Sequence, residues 1–590
     1  MTGRAASRTW PARALAALAV GGAVGILATL PPRPRPAPPP GPRVARAGAV
    51  VRGAYHVHSL RSDGTGTLEE IARAAAAAGL DFVICTDHGD GTRGPEPPVY
   101  RAGVLALDAV EVSTRGGHYV AMGLPRAPYP LGGEARDVVE DARRLGGLGI
   151  AAHPDSAKAS LRWADWSLPV DGFEWLSADS EWRDEPVHAL ALAALHVAWR
   201  GPAALATLFD RPATTLARWD RLAAGGRRLV ALGALDAHAR LGTRGPGGDV
   251  EEGIEGGSLA LAIPTYAQIF RTFSTHVELD APLSGDAVAD ARRLLDALRS
   301  GRAFTVVDAV ATPGAFEFFA ETPRGRARMG DEVDPAVGPV EFHARAAAPA
   351  GSRIVLLRNG DVVAQTTGVE LTHRADTPAP GTFASYRVEV FADGAPGVPP
   401  LPWIVSNAIL VGRRADAPAA PSEAPGSTLG LVQALYAQDP TADAWRTEHD
   451  RGSRARLEVG GADGRRALAF HFALAARARP CWAAAVRHLA VPIAGGERLR
   501  FRAWSSRPLR LSVQLRVQDP HSDRRWQRSV YLDAVARDVS LTLDDFVAVT
   551  RRPAGPTGVG AGAVLFVVDL THAAGGASGT VWLQDVRLER

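Results

Sequence analysis

The sequence predicts an α/β barrel-like sheet followed by all-β sandwich modules. Three observations predict it. Short apolar strand-like runs alternate with helical stretches over residues 49–320, and several of those runs end in histidine or carboxylate side chains. Beyond that region helical periodicity gives way to short alternating strands separated by turn residues.

Ala54 to His58 is a short alternating run, and Ser62-Asp63-Gly64 turns out of it before an alanine-rich helical stretch from Glu69 to Ala78. DFVICT, from Asp81, is a buried-strand run with Asp87-His88 at its end. Val104 to Val112 repeats the pattern and delivers Glu111. His118 opens the run HYVAMGL, Leu148 to Ala152 leads into His153, and Arg228 to Leu235 leads into Asp236-Ala237-His238. Side chains two apart share a strand face, so His56 and His58 can grip one ion together. Imidazole and carboxylate ligands suit zinc, manganese or iron, and a carboxylate such as Glu111 can bridge two ions. Assembly from several strand ends is how barrel enzymes build catalytic sites. The pattern therefore predicts a hydrolytic metalloenzyme.

HVHSLRSDG, TDH, EVS…GHYVAMG, AAHPD and LDAH resemble, in order, the motifs of the polymerase-and-histidinol-phosphatase (PHP) superfamily. The resemblance covers roughly residues 50–310. It implies a distorted (β/α)7 barrel holding two or three divalent metals. On the family pattern, His56 and His58 bind one metal with Asp236 and a bridging Glu111. His118 and His153 complete a second site with Glu111, and Asp63, His88 and His238 form a third. Asp87 is expected to orient a ligand from behind. Glu174 reads equally as rim lining or as fold support. Two departures bear on substrate contacts: Leu235 stands where the family often has serine, and WLSAD after Glu174 lacks a frequent asparagine.

A metal-bound water has its pKa lowered towards roughly 7, so the expected nucleophile is a hydroxide held between metals. Asp63, His88 or His238 would protonate the leaving group where the third metal is absent. No nucleophile-elbow motif offers a serine alternative. Asp63, Glu111 and Asp236 with hydroxide bring roughly four negative charges, which two divalent ions neutralise and three overcompensate to about +2. The first balance suits an uncharged ester or carbamate, and the second suits a phosphate dianion. Arg61, Arg93, Arg183, Arg240 and Arg244 lie near the motifs and can grip phosphate oxygens. A phosphoesterase acting on a small-molecule ester is the leading expectation. The alternatives are a carboxylic ester or carbamate hydrolase of the same fold, and a non-catalytic surface glycan-binding protein.

At 590 residues the chain exceeds a single core. A net charge of +3 with neither a basic stripe nor interleaved aromatics excludes nucleic acid as the expected partner. Two cysteines, Cys85 and Cys481, do not make a disulfide framework. Arg4, Arg8 and Arg13 precede an apolar run from Ala14 to Leu30, followed by PPRPRPAPPPGP. Residues 1–30 thus read as an uncleaved membrane anchor or a cleaved export signal, and 31–48 as a Pro-rich linker. Either places the enzyme outside the cytoplasmic membrane, in a periplasm or on a cell surface.

Asp286 to Ser300 is a helical pattern, and residues 326–413 read as a small β-sandwich with an Asn359-Gly360 hairpin turn. A barrel followed by such a module, ending W-x-x-SN-x-I-x-V, resembles the carbaryl- and carbofuran-hydrolase branch of the superfamily. A Pro-, Ala- and Ser-rich linker spans 414–427, and 428–590 is again strand-rich. Its ending, Trp582 followed by LQDVRLE, resembles galactose-binding-like or carbohydrate-module jelly rolls, which implies a glycan partner. Trp445 and Trp526 stack on sugar if exposed and belong to the core if buried.

Overall fold

The computed structural model describes residues 25–38, 49–239, 264–312, 314–334, 336, 338–375, 383–412, 431–435, 444–462, 465–477, 480–493, 496–517, 524–549 and 560–590. Most of the expected anchor and the whole of the 414–427 linker lie outside the described residues. The fold is mostly β-sheet with several sandwich sheets and few helices. It divides into two compact units. The first comprises Met1–Gly89, Pro95–Leu124 and Gly146–Ala417, and the second comprises Asp90–Gly94, Pro125–Leu145 and Pro418–Arg590.

In the first unit, β1 (Ala49–Val57), β2 (Phe82–Cys85) and β3 (Val104–Asp108) pair in parallel. A five-stranded sheet holds β4 (Val110–Thr114), β5 (Gly117–Met122), β6 (Leu148–Ala151), β7 (Gly172–Ser177) and β8 (Val230–Ala234). FVIC, LGIA and VALGA, the sequences of β2, β6 and β8, are buried at every residue, as strands covered on both faces must be. Two parallel bridges join the sheets, Val57 with Ala237 and His88 with Glu111. Hydrogen bonding therefore passes from β8 through β1, β2, β4, β5, β6 and β7 and returns to β8. The circuit is mixed rather than parallel throughout. The β4–β5 and β5–β6 pairs are antiparallel, and the link from Thr114 to Gly117 is too short for a crossover helix.

Helix α1 (Leu68–Ala77) starts at a capping box in which Thr67 and Glu70 bond each other's backbone N–H. After β7 come α2 (Ala178–Arg183), α3 (Val187–Ala206) and α4 (Ala213–Ala224). Beyond β8, β9 (Ser274–Leu279) and β10 (Ala303–Val306) extend the β1 sheet, with α5 (Ala287–Arg299) between them. Ile404–Ser406, Ala384–Phe391 and Ile409–Val411 carry the same sheet onward. A four-stranded sheet packs on it, with Phe342 stacked 4.2 Å from Tyr386. Asn359 and Gly360 turn a hairpin with φ of 53° and 93°, the left-handed pair that a primed turn needs. The Pro-rich segment is not wholly a spacer, because Arg35–Pro36 pairs in parallel with Ala311–Thr312.

The second unit is built on two six-stranded sheets whose pairings are all antiparallel. Phe470, Phe501, Leu511, Phe566 and Leu583 fill the space between them. Trp445 and Trp526 lie in this core at 5% and 2% exposure, so neither can stack on a sugar. Helix Ala135–Arg144 belongs to the same unit. The buried Arg510 guanidinium donates to Asp141 at 2.8 Å, Asp137 at 3.0 Å and Glu140 at 2.9 Å.

Candidate metal centre

Asp63, His88, His118, His153, His238 and the buried group His56, His58, Glu111 and Asp236 fall within one cluster at the strand ends of the first unit. Glu111 lies at its middle. One oxygen, Oε1, is 2.8 Å from both His118 Nδ1 and His153 Nε2. The other, Oε2, faces His56 Nε2 at 3.2 Å, His58 Nε2 at 3.3 Å and His88 Nδ1 at 3.2 Å. Asp236 Oδ1 faces the same pair from the other side, 3.4 Å from His56 Nε2 and 3.1 Å from His58 Nε2. Asp63 meets His238 Nε2 at 3.1 Å and His58 Nδ1 at 3.4 Å, with His88 Nε2 at 3.8 Å.

The backbone that aims these groups is unusual. His56, His153 and Asp236 take φ of 64°, 48° and 44°, a region that β-carbon sterics disfavour by about 1–3 kcal/mol per residue. His56 also marks a register shift in the β1–β2 pairing. The two histidines therefore converge through a bulge at His56, not through the plain strand alternation expected from their spacing. Gly64 allows the Asp63 loop to close, because a Cβ there would stand 2.2 Å from the His58 carbonyl oxygen.

A second layer holds the first. Glu174 Oε1 accepts from His56 Nδ1 at 2.6 Å and from the Tyr55 hydroxyl at 3.2 Å, while Oε2 accepts from the His153 backbone N–H at 2.9 Å. That places Glu174 behind the cluster as a positioning residue. Asp87 acts on a loop: it accepts from Ser59 N and Oγ, both at 2.7 Å, and from Ser62 Oγ at 2.8 Å. Ser62 Oγ in turn lies 3.3 Å from His58 Nδ1.

The electrostatics follow from four carboxylates, Asp63, Glu111, Glu174 and Asp236, among six imidazoles. Burial alone would lower the histidine pKa values, but Glu174, Glu111 and Asp236 hold His56 well above its usual range. Against the same burial, Asp236 and Glu111 push His58 up to about 10 and His153 up to about 9. His88 goes the other way, lowered chiefly by burial. Burial would raise Glu111 and Asp236, yet the surrounding rings hold both well below the carboxylate range.

These residues fit divalent cations. Glu111 Oε2, Asp236 Oδ1 and His88 Nδ1 are buried without a hydrogen-bond partner, although ring nitrogens crowd both carboxylate oxygens. His56 Nε2 and His58 Nε2 also face each other at 3.1 Å. Ligand atoms about 2.1 Å from a shared ion stand about 3.0–3.4 Å apart, the spacing seen here. The orphaned oxygens converge where a cation would sit.

Asp179 was not anticipated: it forms a further possible ligand group with Asp236 and His238. Its only sequence signal was the segment WLSAD, which reads as a missing asparagine. Arg183 bonds Asp179 and interacts electrostatically with Asp236 and Asp63, so it stands at this centre. Arg61 is instead engaged by Glu96 and by Asp108, and Arg240 and Arg244 lie outside the described residues. In the second unit, Trp504 and Trp582 sit opposite each other on neighbouring strands, half-buried and stacked with centroids 5.7 Å apart.

No family model and no curated protein matches the chain. Solved structures do. The chain is similar to a two-domain protein from Bacteroides vulgatus described as containing a predicted PHP-like metal-dependent phosphoesterase, at 13% identity and TM-score 0.28, over 61% of this chain and 94% of that one. It is also similar to the family 11 carbohydrate-binding module of Clostridium thermocellum, at 12% identity and TM-score 0.21, over 26% and 94% of the respective chains. The N-terminal cellulose-binding domain of a Cellulomonas fimi β-1,4-glucanase matches at 17% identity and TM-score 0.18, over 26% and 90%.

Proposed function

We propose that the chain is an exported PHP-type metal-dependent hydrolase, with phosphoesters as the leading substrate class. The observation that carries this reading is Glu111 Oε2, buried, without a hydrogen-bond partner and ringed by three imidazole nitrogens. On this reading the strand circuit of the first unit is the distorted (β/α)7 barrel, residues 326–413 are a sandwich module that shares a continuous sheet with it, and 428–590 are a further sandwich. His56, His58 and Asp236 would hold one cation together with Glu111; His118 and His153 would hold a second with the same shared Glu111, and Asp63, His88 and His238 a third, the ions being zinc, manganese or iron. When bound, such ions act as Lewis acids, activating water and neutralising charge on the reacting group.

The chain's own residues supply the rest. His56, His58, Glu111 and Asp236 are sealed from solvent, whereas the side chains of His88, Asp63 and His238 are 28%, 35% and 13% exposed. Those three groups therefore face an entering substrate, and where the third cation is absent one of them would pass a proton to a leaving oxygen. Arg183, beside Asp179, offers a guanidinium to an anionic ester. Aryl phosphate and aryl acetate assayed side by side on the full chain with added manganese or zinc test the reading. Turnover of the phosphate supports it, turnover of the acetate alone assigns the carboxylic ester or carbamate alternative, and turnover of neither removes both.

A second reading concerns the second unit. The Trp504–Trp582 pair is half-buried, near-parallel and set on the side of its sheet away from the core, where partly exposed aromatic rings would be available to a sugar ring. We assign glycan binding to this pair, with the N-terminal run as membrane anchor or export signal.

A further inference from the structure

Helix α3 exposes what a helix in water normally hides. From Val187 to Trp199 it contains no charged residue. Yet Val187, Leu192, Leu195 and Trp199 are 78%, 45%, 43% and 55% exposed. Leu192, Leu195 and Trp199 follow the spacing of one helical face, and Ala191, Ala194 and Ala198 beside them are also exposed. The opposite side is sealed by Ala193 and Val197, with His196 buried at the edge of the bare face. Apart from His188, exposed in its first turn, and the buried His196, this stretch is apolar; such a helix belongs inside a protein or against lipid, and this one is only half inside.

What lies next to the face says what covers it. The N-terminal apolar run ends at Gly25 to Thr29, where Thr29 Oγ1 is 3.1 Å from His196 Nε2. His196 lies one turn from both Leu192 and Trp199. Leu27 of that segment is itself 59% exposed. The end of the membrane-type run and the bare face of α3 are therefore neighbours. The face closes with Trp199 followed by Arg200, an aromatic and a cation of the kind that settle at a lipid headgroup boundary. The helix breaks there, with Arg200 at φ −137° and Pro202 just beyond.

We infer that the outer face of α3 lies in the surface of a lipid bilayer, as a monotopic contact beside residues 25–29. The inference rests on the anchor reading of the N-terminal run for its orientation, but it is a claim about α3. Because only three residues separate α3 from Arg183, such docking holds the rim of the metal centre near the membrane.

The test uses the full chain in vesicles of phosphatidylethanolamine and phosphatidylglycerol. Leu192→Cys, Leu195→Cys and Trp199→Cys are each spin-labelled, with Val362→Cys, an exposed position on a distant strand, as the water control. Cys85 and Cys481 are buried and do not compete for the label. Flotation of the vesicles reports the anchor, and collision rates with oxygen and with a water-soluble nickel chelate report the face. Docking predicts flotation, with loss of nickel collisions and retained oxygen collisions at all three α3 positions. Flotation with nickel collisions equal to those at Val362→Cys overturns the inference while leaving the anchor reading intact. Shielding from both reagents means that protein covers the face, a second copy or another part of the chain, and also overturns it. Absence of flotation rejects the anchor and the docking together.

Discussion

Glu174→Gln tests how the cluster is aimed without removing a ligand. With the His56 Nε2 atom turned towards Glu111 and Asp236, its Nδ1 carries the proton and donates to Glu174 Oε1 at 2.6 Å. The other carboxylate oxygen accepts from the His153 backbone N–H at 2.9 Å. A glutamine has one acceptor oxygen and one amide group that only donates. Whichever way the amide lies, its NH2 faces a donor, so one buried hydrogen bond is replaced by a donor–donor contact. The loss is about 1–3 kcal/mol, and for groups that orient histidine ligands it corresponds to about 10–100-fold in metal affinity. Competition against a chelator with a known constant measures the affinity, and turnover of an aryl phosphate measures the consequence. A fold defect is separated by thermal melting with chelator present. If metal affinity and turnover both equal the wild type, Glu174 does not position His56.

Burial pushes Glu278 from the ordinary 4.5 up to about 7, so the folded chain keeps a proton there that the unfolded chain releases. Stability contributed by this site is full below pH about 4.5 and is lost as pH rises to about 7, by at most about 1.4 kcal/mol per pH unit. Glu278→Gln should flatten that part of the denaturation-midpoint profile, and an unchanged slope would count against it. Arg510→Met leaves the buried Asp137 and Asp141 without their shared guanidinium, which should destabilise the second unit by about 3–5 kcal/mol in thermal melting. An unchanged melt would mean that those carboxylates find other partners. Trp504→Ala or Trp582→Ala should weaken polysaccharide retention in affinity gels by about fivefold, from about 1 kcal/mol per lost ring face. Equal retention would move any glycan site elsewhere.

Much of this was legible in the sequence for a physical reason. A strand buried on both faces is a short apolar block, so a histidine or carboxylate at its end stands out, as His88 does after FVIC and Asp236 does after VALGAL. The positions of the cluster could therefore be named. How they converge could not. The left-handed backbone at His56, His153 and Asp236 has no signature in residues other than glycine, and the bulge at His56 leaves the alternation pattern intact. Asp179 sits on a short helix after β7, where no apolar period isolates it. The β4–β5 hairpin hid inside a run that read as strand and then strand, because the Arg115-Gly116 link resembles any exposed turn. Trp504 and Trp582 were indistinguishable from the buried Trp445 and Trp526 until cross-strand register put them opposite each other.

Metal content is the most direct measurement. Elemental analysis of the full chain, purified without chelator and dialysed against zinc or manganese, should find about two or three divalent ions per molecule. Glu111→Gln should lower that number, since Glu111 touches the ring nitrogens of five histidines. A chain that takes up no divalent ion, or a Glu111→Gln variant that keeps them all, would contradict the account.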